Sequence, residues 1–164
     1  MKCKKAQVAL KLDMKKAYDK VEWSFLFSTL HHPKWVELIK ACITVVSCSI
    51  IVNDYVCGSP TRSIKQGGPL SPYLFIIYME ALTRALRKAL WCKKSRINIK
   101  LSSRASKIPY LLFVDDSLLF YRTNVEACQE LRSILNKFCQ SSGQLINFRK
   151  SSLTFSSNVK ARDN

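Results

Sequence analysis

Two adjacent aspartates, Asp115 and Asp116, interrupt an apolar run, with Tyr110 to Val114 before them and Leu118 to Tyr121 after. Two β-rich runs split by a short polar step predict a hairpin whose tip presents two carboxylates. Like charges side by side are unfavourable unless a cation lies between or in front of them, and hard divalent cations are the usual solution. A third carboxylate for such a site is Asp13, which closes the stretch VALKLD. Strand parity puts Val8, Leu10 and Leu12 on one face and Lys11 and Asp13 on the opposite, open face. Three carboxylates would then converge from two strand ends. The same residues also have ordinary readings. Asp is favoured in turns because its side chain bonds nearby backbone, and a lone Asp at a strand end is commonly a helix cap or a solvated group. By type and spacing alone, both readings stand.

The elements that must position these groups follow from periodicity and punctuation. Helical spacing of apolar residues covers Val21 to Leu30 and Trp35 to Val46, separated by His31, His32 and Pro33. A small hairpin is expected from Ile50–Val52 and Tyr55–Cys57 across Asn53 and Asp54. Ser71 followed by Pro72 predicts a helix start, a hydroxyl cap with proline in the first turn, and the helix runs on through Leu74, Ile77, Ala81, Leu82, Ala85 and Leu86. Ile97 to Leu101 reads as a weak strand before the Asp-Asp hairpin. Asn124 is placed to cap a helix with an apolar stripe of Leu131, Ile134, Leu135 and Phe138, and Gly143 to end it. Leu145–Phe148 and Ser152–Phe155 read as closing strands, and Ser156 to Asn164 as a frayed, disordered tail. Helices interleaved with hairpin strands predict one α+β domain with an antiparallel sheet.

The chain has 164 residues and a formal net charge of +16, a field suited to a polyanionic partner such as nucleic acid. A basic solvated surface, or one that meets anionic lipid, has the same charge signature. Its uncharged stretches, Ala41 to Asn53 among them, are too short to span a bilayer, and the start MKCKKAQ lacks the apolar core of a signal peptide, so an intracellular protein without a membrane partner is expected. Seven cysteines, an odd number with no CxxC pair, fit a reducing compartment and mostly buried thiols. The spacings of Cys42, Cys48 and Cys57 with His31 and His32 match no common zinc template.

The segments LDMKKAYDKVEW, KQGGPLSPYLF, FVDD and GQLINFRKS, in that order, resemble the palm motifs of reverse transcriptases, most closely those of plant non-LTR (LINE-type) retrotransposons. The likeness runs from about Val8 to Phe155, and four motifs in order are far more specific than any one. It implies a ferredoxin-like palm over residues 1–155 and RNA-directed DNA polymerase activity, nucleotidyl transfer onto a primer 3′-hydroxyl. Two magnesium ions, with manganese as a substitute, would be held by Asp13, Asp115 and Asp116, of which Asp116 is the less direct ligand. RNA template, DNA primer and deoxynucleoside triphosphates are the implied partners, and the nucleus the implied location.

Further site residues follow from the same resemblance. Tyr18, five positions after Asp13, stands where the family places an aromatic gate against a ribose 2′-hydroxyl; by itself it would read as core packing. The backbone of Lys16 and Ala17 would lie near the triphosphate. Gln66 and Gly67 correspond to the nucleotide-contacting pair, an amide and a glycine that permits close approach. Asn147 and Lys150 match the last motif, and Lys150 could protonate departing pyrophosphate or be a plain surface lysine. Three departures stand out: Gly68 where LINE-type enzymes commonly have aspartate, Val114 where they usually have alanine, and a short connection from Leu30 to Trp35. The fingers, thumb and endonuclease of such enzymes are expected to lie outside this sequence. An isolated palm would be inactive or very weak, and the alternative is a catalytically inactive retroelement relic that at most binds nucleic acid.

Overall fold

The structure of the protein, a computed structural model, describes residues 7–44, 51–52, 55–56, 63–65, 67–91, 97, 110–113 and 116–157. Its first strand, β1 (Gln7–Leu12), is followed by helices α1 (Trp23–Thr29) and α2 (Pro33–Thr44) and by a short hairpin of β2 (Ile51–Val52) and β3 (Tyr55–Val56). Then come α3 (Ser71–Trp91), β4 (Tyr110–Phe113), β5 (Asp116–Arg122), α4 (Val125–Ser142) and β6 (Ser152–Phe155). The main sheet has the order β4-β5-β1-β6, and every neighbouring pair is antiparallel. With α3 between β1 and β4, and α4 between β5 and β6, this is the ferredoxin-like arrangement. The α+β expectation is met, and β4 and β5 pair as the expected hairpin, of whose tip Asp116 is described while residues 114 and 115 lie outside the described residues.

Alternation along the two central strands divides the sheet into a core face and an open face. Val8 pairs with Tyr121, Leu10 with Leu119 and Leu12 with Ser117. Of these, Val8, Leu12, Ser117, Leu119 and Tyr121 are buried. Lys11 pairs with Leu118 on the other face, where Lys11 is exposed. The core continues through α3 and α4, where Phe75, Tyr78 and Leu82 are fully buried and Leu131, Leu135 and Phe138 nearly so. Full burial of one such leucine or phenylalanine contributes about 1.5–3 kcal/mol. Aromatic rings tie the helices together: Phe25 of α1 meets Tyr78 of α3 edge-on at 5.0 Å and Phe138 of α4 at 6.1 Å. Among the described residues, no helix is long and apolar enough to cross a membrane.

The ends of α4 form as their residues dictate. Asn124 Oδ1 accepts from the Ala127 N–H at 2.9 Å, and Gly143 takes a left-handed φ of 72° while its N–H donates to the Cys139 carbonyl. Three expectations are corrected. The Ser71 hydroxyl does not cap α3; it turns back and donates to the Lys65 carbonyl, closing the loop before the helix. Leu145–Phe148 is not a strand, because the Asn147 carbonyl collects the N–H groups of Lys150 and Ser151 and bends the chain into a turn. Only an isolated bridge, Met14↔Ile146, remains of the expected pairing. The described thiols are not mostly buried either: Cys42 and Cys128 are exposed and Cys139 is half-buried, because the first two fall on outer helix faces. Of the strand expected at Ile97–Leu101 only Ile97 is described, and it is buried. At the other end, Ser156 exchanges hydrogen bonds with Gln7, and residues 158–164 lie outside the described residues.

Candidate functional site

Asp13 follows directly on β1, and Asp116 opens β5. The β1–β5 register, carried one residue past the Leu12–Ser117 pair, sets Asp13 across from Asp116. Both belong to the open face by parity, at the same end of the two central strands. Asp116 is exposed, and its Oδ1 lies 3.3 Å from the Lys11 ammonium, which rises from the same face one step along. Asp13 is half-buried, and its Oδ1 accepts from Asn147 Nδ2 at 3.0 Å. Each recorded contact engages Oδ1. No group of three or more His, Cys, Asp or Glu with metal-holding geometry occurs among the described residues. Asp115, the expected third carboxylate, lies outside them, as does Gln66.

After Asp13 the chain makes a turn over Lys15–Lys20, with Lys16 in the left-handed region at φ 51°. Ala17 is buried, and its carbonyl accepts from Gln144 Nε2 at 3.0 Å. Tyr18 is half-buried with its ring 5.1 Å from that of Phe75, so its orientation is set by α3. The loop before α3 is stitched to the same turn: the Ile64 N–H donates to the Tyr18 carbonyl at 3.1 Å, and Ser63 N–H to the Val21 carbonyl at 2.8 Å. Trp23 Nε1 adds a bond to the Ser63 carbonyl at 2.8 Å. These bonds bring the loop carrying Gly67 beside the turn carrying Tyr18. Gly67 is exposed at φ 82°, with open space where a Cβ would stand. At Gly68 a Cβ would lie 3.0 Å from Ser71 Oγ and 3.2 Å from the Lys65 carbonyl oxygen, so the loop closes in a way that suits glycine.

A segment 130 residues away in sequence supports Asp13 from below. The Lys15 N–H donates to the Leu145 carbonyl and the Asn147 N–H to the Asp13 carbonyl, both at 2.8 Å. Asp13 N–H donates to Ser151 Oγ at 3.2 Å. Lys150 is exposed on the intervening turn. Further back, Tyr78 donates its hydroxyl to the Ser142 carbonyl, and burial pushes that hydroxyl above its usual pKa. The two histidines serve elsewhere: His31 Nε2 meets Arg84 Nη1, and His32 Nδ1 accepts from the Lys34 N–H at 3.3 Å.

Residues 1–161 match the family model described as reverse transcriptase (RNA-dependent DNA polymerase). The chain belongs to this family. Two relatives set the reverse transcriptase in context. The Pol polyprotein of the type-1 retrotransposable element R2 from Popillia japonica is 32% identical over 155 residues, 90% of this chain and 21% of that protein. An uncharacterized mitochondrial protein of Arabidopsis thaliana is 42% identical over 60 residues, 36% of this chain and 48% of that protein. The chain thus spans less than half the length of these curated relatives. Among solved structures, apo telomerase from Candida tropicalis superposes with a TM-score of 0.67 at 15% identity, covering 94% of this chain and 30% of that one, a likeness of fold. Reverse transcriptases as a family depend on divalent metal, and the carboxylates of Asp13 and Asp116 are of the type that suits one, the cation recorded at Asp116 being the Lys11 ammonium. Four residues of this chain carried no assigned role in the sequence: Lys11, Gln144, Asn147 and Ser151. Asn147 matched a motif, but its contact with Asp13 spans 134 positions and leaves no local signal.

Proposed function

We propose that this chain is the palm of an RNA-directed DNA polymerase of a non-LTR retrotransposon, joining deoxynucleotides to the 3′-hydroxyl of a primer on an RNA template. The observation that supports the reading is the placement of Asp13 and Asp116 at the same end of the two central strands, in a chain of the reverse transcriptase family. Two magnesium ions, when bound, would lower the barrier to attack by the primer hydroxyl and offset charge on the pyrophosphate. Asp13 and Asp115 would hold them, with Asp116 as the less direct ligand. In this reading Tyr18, braced on Phe75, excludes a 2′-hydroxyl from the sugar site by bulk. Gly67 and Gln66 border the nucleotide, and the backbone of Lys16 and Ala17 faces its triphosphate. Lys150, on the turn bonded to Asp13, delivers the proton that departing pyrophosphate takes up. A net charge of +16 supplies the field for template and primer.

The test is a chimera that joins this chain to the fingers and thumb of an R2-type relative. Primer extension on an RNA template with magnesium supports the reading, provided that Asp115→Asn and Asp13→Asn abolish extension and keep nucleic-acid binding. A folded chimera that binds template and primer and extends nothing marks the palm as a relic. Gly68→Asp is a weak rescue in either case, because the loop must shift to admit a side chain.

A further inference from the structure

Asn147 grips Asp13 through both side chain and backbone. Its Nδ2 donates to Asp13 Oδ1 at 3.0 Å, and its N–H donates to the Asp13 carbonyl at 2.8 Å. The Asn147 carbonyl in turn accepts from Ser151 Oγ at 2.9 Å, and that same oxygen accepts from the Asp13 N–H at 3.2 Å. Asp13 therefore sits in a closed ring of hydrogen bonds made by one turn. The backbone bonds hold the two segments together. The side-chain bond does something else: it selects the rotamer of a carboxylate and the oxygen that is kept occupied.

A carboxylate that must bind a hard cation does so best when neighbouring donors fix its orientation beforehand. An amide is suited to that task, because it donates to one oxygen without bringing a positive charge that would compete with the cation. The contrast with Asp116 is instructive, since there the partner is the Lys11 ammonium at 3.3 Å. A cation approaching Asp116 must displace or share with a lysine, whereas one approaching Asp13 meets a carboxylate whose recorded side-chain partner is a neutral amide.

We infer that Asn147 is a positioning residue for Asp13, its amide locking the carboxylate in the orientation that takes up a divalent cation. The inference rests on the proposed metal-holding role of Asp13 and identifies the group that sets its geometry. It is tested on the 164-residue chain itself, with Mn²⁺ as the probe and paramagnetic broadening of the Asp13 amide signal as the readout. Wild type is compared with Asp13→Asn, Asn147→Leu and Asn147→Ser. Both Asn147 variants should weaken Mn²⁺ binding, Asn147→Leu by about 10-fold or more, while amide signals away from the site are retained. Asn147→Ser, which keeps a shorter donor, should fall between, and it carries the test if Asn147→Leu does not fold. In wild type, added Mg²⁺ should also shift the Asn147 side-chain amide signals, and in Asp13→Asn it should not. Folded Asn147 variants that bind Mn²⁺ as wild type does, while Asp13→Asn loses binding, overturn the positioning role and leave the metal-holding reading intact. Wild type without broadening at Asp13 removes the metal-holding reading, and this inference with it.

Discussion

Replacing Tyr78 by phenylalanine takes a single oxygen from the centre of the core. Tyr78 is fully buried, and its hydroxyl donates to the Ser142 carbonyl at the end of α4. Its ring keeps the neighbours Phe25 at 5.0 Å and Phe138 at 6.4 Å, so the substitution isolates the hydroxyl. A hydrogen bond contributes about 0.5–1.5 kcal/mol net, and a buried carbonyl left without its donor costs about 1–3 kcal/mol, so a loss of about 1–3 kcal/mol is expected near neutral pH. In a chain of this size each kcal/mol lowers the melting temperature by about 2–4 °C. Alkaline pH gives a second reading. Burial raises the Tyr78 pKa above that of the unfolded chain. The folded group thus stays neutral where the unfolded one ionises. Its stabilisation is complete below about pH 10 and is lost as pH rises from there through the folded pKa. Wild type should therefore lose ground to Tyr78→Phe by up to about 1.4 kcal/mol per pH unit above about pH 10. Urea unfolding of both proteins from neutral to alkaline pH measures the gap. No gap at neutral pH, or a gap that fails to narrow in alkali, would refute the buried hydroxyl and its bond.

Four further outcomes are expected. Gly143→Ala and Gly67→Ala both force a left-handed alanine, about 1–2 kcal/mol each, but Gly143→Ala should destabilise more in urea unfolding, since its Cβ would stand 2.6 Å from Glu22 Oε1. Asn124→Ala removes the cap on Ala127 and should lower stability by about 1 kcal/mol, read as a shift in the denaturation midpoint at constant slope. Cys42 and Cys128 should react promptly with a disulfide reagent in the folded protein, and Cys139 slowly, because burial shields its thiol and raises its pKa. Affinity for single-stranded RNA should fall with salt, log against log, by about −0.7 per phosphate neutralised, and salt-insensitive binding would remove nucleic acid as the partner of this surface.

The features legible in the sequence were those whose cause is local. Strand parity placed Lys11 and Asp13 opposite Val8, Leu10 and Leu12, and the sheet has that division. The turn and cap residues Asn124 and Gly143 bound α4 because each acts on backbone within four positions. What escaped was long-range. An apolar Leu145–Phe148 looks like a strand until the Asn147 carbonyl is seen gathering two N–H groups, which local hydrophobicity does not register. The Ser71 hydroxyl had a choice of partners, and it donates to the Lys65 carbonyl, six positions back. The Lys11–Asp116 pair follows from register, and register is decided by two strands more than 100 residues apart. Motif order reached further than periodicity, since it assigned the Asp13 segment and GQLINFRKS to one palm domain.

The central place of β1 has a consequence for how the chain is made. β1 precedes both of its sheet neighbours in the chain, β5 on one side and β6 on the other, so neither of its partners exists when it emerges from the ribosome. At about 5–20 residues per second, the hundred-odd residues to β5 take roughly 5–20 s to synthesise. Throughout that interval Val8, Leu10 and Leu12 have no sheet to join, and the nascent chain presents an unpaired apolar strand of the kind that holdase chaperones bind. Asp13 then receives its support from Asn147 only when nearly the whole domain has been released. Completion of the site is thereby coupled to completion of the fold, and a truncated product ending before α4 would hold Asp13 and Asp116 without Asn147 and Ser151, the side chains that brace Asp13.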